Sequence, residues 1–142
     1  MGRFVTRERL HVDRIATAWA LRRFVDPDAT FAFVPRTKDA RAVGGTPFDM
    51  RGAELSHRGE RCTFEVVAET YRLADPPLLR MGRIVRGADL PHDDEVSPEA
   101  AGVRAVFDGI RDGDFTDEER LALGSAVCDA LYEYCRAATS AR

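Results

Sequence analysis

Apolar positions in the first third of the chain switch between two periods, and the switches mark out its elements. Phe4 to Thr6 is a short extended start. Val12, Ile15, Ala16, Trp19 and Ala20 then recur at the spacing of one helical face, which predicts a helix from Val12 to Val25. Asp26-Pro27 ends it, because the residue before a proline is pushed out of the α region. Thr30 to Val34 alternates and is rich in aromatic residues, as a strand does, and Arg36 to Thr46 reads as a loop around Gly44-Gly45. Pro47 to Met50 is a further short extended piece.

The stretch from Glu54 to Phe64 gathers a histidine, two carboxylates and a thiol around a predicted tight turn at Arg58-Gly59. With a two-residue connection His57 faces Glu60, Leu55 faces Cys62, and His57 and Cys62 become diagonal neighbours about 7–8 Å apart on one face of a hairpin. A three-residue loop instead pairs His57 with Arg61 and turns Cys62 to the face of Ser56 and Glu54.

Beyond the hairpin the signals are helical. Thr63 can cap a helix running through Tyr71, Asp75-Pro76 starts one toward Gly87, and Ser97-Pro98 starts another that Gly109 or Gly113 closes. Thr116-Asp117-Glu118-Glu119 is a capping box, and Leu123, Val127, Leu131 and Tyr134 line one face behind it. Strands early and helices late predict an α+β fold: a small antiparallel sheet with a hairpin, covered by about five helices, with no parallel sheet expected. No repeat or low-complexity linker interrupts the chain, so residues 1–142 are expected to form a single domain.

Composition narrows the function classes. At 142 residues, 44% hydrophobic and 32% charged, the chain suits a globular domain whose core needs no disulfide staples. No apolar run approaches the roughly 18 residues of a membrane span, and the N-terminus reaches Arg3, Arg7 and Glu8 before any leader-like core. A cytoplasmic location with no membrane partner is the expectation. Cys128 and Cys135 fall about 10.5 Å apart along one helix, too far to bridge, so both are expected to be reduced and buried. A net charge of −3 argues against nucleic acid as the primary ligand, as does the acidic run His92-Asp93-Asp94-Glu95. Arginines nevertheless collect early, at 3, 7, 9, 14, 22 and 23, and Lys38 is the only lysine. Guanidinium suits bidentate binding of carboxylates and tetrahedral oxyanions.

His57 is the best candidate for a metal ligand or acid–base group, since a neutral imidazole offers one lone pair and titrates near neutrality. Glu54, Asp49 and Asp89 could complete a nitrogen–oxygen site for a divalent transition metal, zinc, manganese or iron, rather than a thiolate-selective copper(I) site. Cys62 beside His57 would soften the site toward zinc or iron. Each residue also has an ordinary role: Asp49 in a turn, Glu54 on a solvated strand, Asp89 at a helix end, Cys62 in the core. Asp13 with Arg14, and Arg86 with Asp89, read as ion pairs tying helices together, and Trp19 and Tyr132 as core. No HExxH, paired CxxC, P-loop or nucleophile elbow is present.

Several of these stretches together resemble the domain at the C-terminal end of ChrB-type chromate-resistance proteins. They are Val5-Thr6-Arg7-Glu8-Arg9; Asp13-Arg14-Ile15-Ala16 leading to Trp19 and Arg22 to Pro27; Pro47-Phe48-Asp49; Glu54 to Phe64; Ile84 to Asp89; and Asp129 to Tyr132. The order and coverage carry the likeness, as none of them alone is a catalytic signature. The family often has Cys-Pro before the tryptophan where this chain has Thr17-Ala18, which removes that cysteine as a ligand. Full-length members carry a preceding regulatory region with no counterpart in these residues, so direct DNA-binding repression by this chain is not expected. The resemblance implies a cytoplasmic domain of chromate or metal stress, binding a metal ion or a small oxyanion in a sensory or accessory role. A partner protein or a second copy would receive that state. Arg14, Arg22 and Arg86 are then the forked donors to a chromate-like dianion. The alternative is a metal-dependent redox enzyme that reduces chromate or removes superoxide.

Overall fold

The computed structural model describes residues 2–90 and 97–140, so the acidic run at 92–95 lies outside the described residues. Three strands, β1 (Arg3–Arg7), β2 (Thr30–Val34) and β3 (Thr46–Pro47), form a sheet in the order β2-β1-β3. Both pairings are parallel, with Val5 opposite Ala32 on one side and Pro47 on the other. This corrects the expected antiparallel sheet. The reason lies between the strands: a helix, α1 (Val12–Ala20), separates β1 from β2, and a strand–helix–strand crossover returns the chain in its original direction. The sequence shows that helix, but the antiparallel expectation rests on strands lying early and helices late, an order that does not fix strand direction.

That segment contributes no strand to the sheet. Phe48 and Leu55 form a single parallel bridge, and Arg58 and Arg61 a single antiparallel one closed by reciprocal backbone bonds of 3.1 Å. The turn residues are therefore Gly59-Glu60, one position later than Arg58-Gly59. Gly59 has φ 61°, the left-handed value that a residue without a Cβ adopts at least cost.

α1 continues into a π-helical turn over Leu21–Val25 that ends at Asp26, whose amide reaches back to the Leu21 carbonyl at 2.8 Å. The remaining helices are α2 (Thr63–Thr70), α3 (Pro76–Asp89), α4 (Ala100–Asp112) and α5 (Asp117–Ser140). Asp75 caps α3 by accepting from the Leu78 amide at 3.2 Å. Thr116 and Glu119 form the reciprocal capping box of α5, with bonds of 2.9 and 3.1 Å. α1 is the central helix and packs against α2, α3 and α5. Every one of its residues except Arg14 is buried.

The buried face of α5 is Leu121, Gly124, Cys128, Tyr132 and Cys135, whereas Leu123 and Tyr134 are exposed. The expected stripe was rotated from the true one. Gly124 explains the choice, because a Cβ there would meet the Ile15 Cγ2 at 2.4 Å: the absent side chain lets α5 close onto α1. Trp19 and Tyr132 are core, as expected. Their rings lie 5.8 Å apart beside Phe24, and the Trp19 indole donates to Asp129 at 2.8 Å.

Candidate functional site

The carboxyl ends of β1 and β3 are where the chain concentrates its buried charge. β1 leads through a short loop into α1, whose second residue is Asp13; β3 leads through Phe48 to Asp49. Strand order reverses at this point, since β2 lies on one side of β1 and β3 on the other. In open parallel sheets such a crevice is where ligands bind.

Asp49 is set by its backbone. Phe48 extends β3 by donating its amide to Val5 and accepting from the Thr6 hydroxyl at 2.7 Å. Asp49 then turns to φ 48°, a conformation that aspartate tolerates better than most side chains, and its amide donates to the Leu55 carbonyl at 2.7 Å. Arg14 holds it from the other side, with Nε donating to the Asp49 carboxylate at 3.0 Å and Nη2 to its carbonyl at 2.6 Å.

Asp13 is set by α2. Its two carboxylate oxygens accept from the first two amides of that helix, Thr63 and Phe64, each at 2.9 Å. A helix N-terminus leaves such amides unpaired and favours negative charge, so this carboxylate of α1 caps α2 from outside its own segment. The Thr63 hydroxyl donates to Asp49 at 2.7 Å, which draws the two acids together.

His57, immediately before the Arg58–Arg61 turn, closes the group. Its Nε2 lies 2.9 Å from the carboxylate of Asp89, the last residue of α3, and 3.4 Å from that of Asp13; its Nδ1 lies 3.7 Å from Asp49. Ligand atoms of Asp13, Asp49 and His57 all fall within 4.8 Å of one another. Side-chain exposure runs from 3% at Asp13 and 12% at Asp49 to 44% at His57, so the acids form the floor and the imidazole the solvent side.

Three carboxylates here face one guanidinium and one imidazole. Burial, followed by repulsion from Asp49 and Asp89, raises the Asp13 carboxyl to about 8 against the pull of the two α2 amides. Burial also raises Asp49, opposed by Arg14 and the Thr63 hydroxyl. The bond to Asp89 is the main cause that lifts His57 to about 9, with the charges of Asp13, Asp89 and Asp49 adding to it against desolvation. The cluster thus retains protons that a cation of higher charge would displace.

Of the residues expected in the site, the structure brings together His57, Asp49 and Asp89, with Arg14 as their support. Glu54 is exposed, and no side-chain bond ties it to the cluster. Cys62 is buried with its sulfur against Glu65 at 3.5 Å, and burial, then the charges of Asp13 and Glu65, push its thiol up and keep it protonated. The oxyanion arginines do not converge: Arg22 donates to the Ala29 carbonyl and covers the Phe31 ring, and Arg86 pairs with Glu65 at 3.4 Å.

Asp13 and Thr63 are the members that sequence reasoning missed. In the sequence Asp13 reads as an ion-pair partner of Arg14, but Arg14 pairs with Asp49, and Asp13 and Asp89 both approach His57. One signal pointed the other way. An aspartate next to Val12 on a helix with a nearly continuous apolar surface has to be buried, and a buried carboxylate needs partners of its own.

The model of the family described as "ChrB, C-terminal domain" matches residues 4–135. Protein ChrB of Cupriavidus metallidurans is 36% identical over 134 residues, covering 92% of this chain and 40% of that protein. This chain therefore spans less than half the length of that relative. No solved structure shows a significant match to it.

Proposed function

Because this chain belongs to the family of ChrB C-terminal domains, we propose that it serves chromate or metal stress by binding a divalent transition metal in a sensory or accessory role. Asp13, Asp49 and His57 are the ligands. Asp89 accepts from the imidazole and orients it, as outer carboxylates do for metal-bound histidines. The observation that carries this reading is the approach of three ligand atoms, from three separate segments, to within 4.8 Å of one another. A donor set of carboxylate oxygens and one imidazole suits manganese, iron(II) or zinc better than copper(I). Bound metal would tie α1, the loop after β3 and the turn before α2 to one point. Its arrival is then felt by three parts of the fold, which is how a partner protein or a second copy could receive the signal.

The 44% exposure of His57 favours a second reading, a redox enzyme acting on a small oxidant such as chromate or superoxide, because the solvent side of the cluster is open. Iron or manganese would supply the electron transfer. Turnover by the metal-loaded protein selects this reading, and stoichiometric binding with a conformational change selects the first.

Elemental analysis after incubation with manganese, iron(II) and zinc tests the common core of both. Wild type is expected to retain about one metal per chain. His57→Ala should lose it while keeping its helical circular dichroism. Equal occupancy in the variant, or none in wild type, overturns the proposal.

A further inference from the structure

A polar cavity of about 600 Å³ is lined by Glu8, Arg9, Arg14, Arg36, Arg111 and Asp112. It lies at the carboxyl ends of β1 and β2, since Glu8 and Arg9 directly follow β1 and Arg36 comes two residues after β2. Four guanidinium groups face two carboxylates. Arg14 is committed to Asp49, and Arg111 to Asp112 through bonds of 2.8 and 3.2 Å. The side chains of Arg9 and Arg36 make no hydrogen bond or ion pair among the described residues.

Both of these arginines are held in place through their backbones. Arg9 has φ 63°, a left-handed conformation that is strained for a residue with a Cβ. Asp117, at the start of α5, pins it there by accepting from the Arg9 amide at 3.0 Å and the Leu10 amide at 3.1 Å. The turn bearing Arg36 is fixed by Arg7, whose Nη1 donates to the carbonyls of Pro35 at 2.8 Å and Lys38 at 2.7 Å. A strained residue and two clamps thus fix two guanidinium groups, of which Arg9 acts on Asp112 only through its charge and neither makes a hydrogen bond or ion pair among the described residues.

We propose that this cleft is a second ligand site, for a small hydroxyl-bearing phosphomonoester. A carboxylate offers two oxygens and is satisfied by one guanidinium fork, whereas the three outer oxygens of a phosphoryl group can engage several. The volume exceeds what inorganic phosphate fills and falls within the range of sites for small organic ligands. Glu8 and Asp112 supply acceptors for hydroxyl groups, and none of the lining residues is aromatic, so no ring there would stack a nucleobase. Of the four lining arginines only Arg14 touches a proposed metal ligand, Asp49; Arg9, Arg36 and Arg111 touch none, so their part of the cleft does not rest on the metal reading.

Isothermal titration of the full chain tests it with a glycerol phosphate, a hexose monophosphate and a hexose bisphosphate, beside inorganic phosphate, sulfate and the unphosphorylated hexose. At least one phosphorylated polyol is expected to bind ten-fold or more tightly than inorganic phosphate. Arg36→Ala and Arg111→Ala should each weaken it ten-fold or more. Arg83→Ala, in the separate groove between α2 and α3, should leave it unchanged, and so should His57→Ala. Affinity no better than that of inorganic phosphate across the whole panel overturns the proposal. So does an equal loss in Arg83→Ala, which would reduce the effect to general charge attraction.

Discussion

Asp13 and Asp49 are joined through one residue: the Thr63 amide donates to the first at 2.9 Å and the Thr63 hydroxyl to the second at 2.7 Å. Two acids that repel each other are thereby held on one side of His57, and the first residue of α2 acts as cap recipient and clamp together.

Removing the outer cap of α2 should show in stability. Asp13→Ala leaves the Thr63 and Phe64 amides buried without acceptors and should cost about 2 kcal/mol in denaturant unfolding. Asp13→Asn keeps one acceptor and resembles the protonated acid that burial favours, so about 1 kcal/mol or less is expected, together with loss of metal retention.

Stability without metal should fall as pH rises. Asp13 has a folded pKa raised from 3.8 to about 8 and His57 one raised from 6.5 to about 9. In both cases the folded state binds the proton more tightly, so the contribution is complete below the unfolded pKa and is lost as pH climbs through the folded one. Thermal unfolding of metal-free protein between pH 5 and pH 9.5 should show a declining Tm, with a flatter profile in Asp13→Asn and in His57→Ala. Metal binding competes with these protons and should strengthen across the same interval.

Ligand identity separates the residues that the sequence grouped together. Cys62→Ser and Glu54→Gln should retain metal as wild type does, while Asp49→Asn should not. Metal loss in Cys62→Ser would put the thiol back among the ligands.

The three free cysteines are all buried. Thiol labelling of native protein should be slow at each of them and fast once the chain is unfolded, and no disulfide should form between Cys128 and Cys135.

Gly124 and Gly109 offer a matched pair. Gly124→Ala gains helix propensity but drives a Cβ to 2.4 Å from Ile15, so a net loss of about 1–3 kcal/mol is expected. Gly109→Ala meets nothing within 4 Å and should stabilise α4 by up to about 1 kcal/mol.

Local chemistry was legible in the sequence where it decides structure alone. The stop at Asp26-Pro27, the Asp75 cap and the Thr116–Glu119 box all stand where residue type placed them. Strand direction was legible only in part: the helix between β1 and β2 implies a parallel crossover, whereas β3 is only two residues long and carries no signal of its direction. The α5 face was misplaced because the decisive residue is a glycine, which carries no hydrophobic signal. His57, Asp49 and Asp89 were legible from chemistry. Asp13 was not, since its neighbour Arg14 supplied a simpler partner and the true ones are amides fifty residues away.

The bonds that assemble the acidic floor join residues far apart in the chain, 50 positions for Asp13 to Thr63, 35 for Arg14 to Asp49 and 32 for His57 to Asp89. Each closes a long loop whose entropy is lost before the contact is gained. A chain that has formed its helices but not docked them holds none of this geometry. The cluster therefore marks completion of folding: whatever binds there can recognise only the finished molecule, and adds its whole binding free energy to holding that molecule closed.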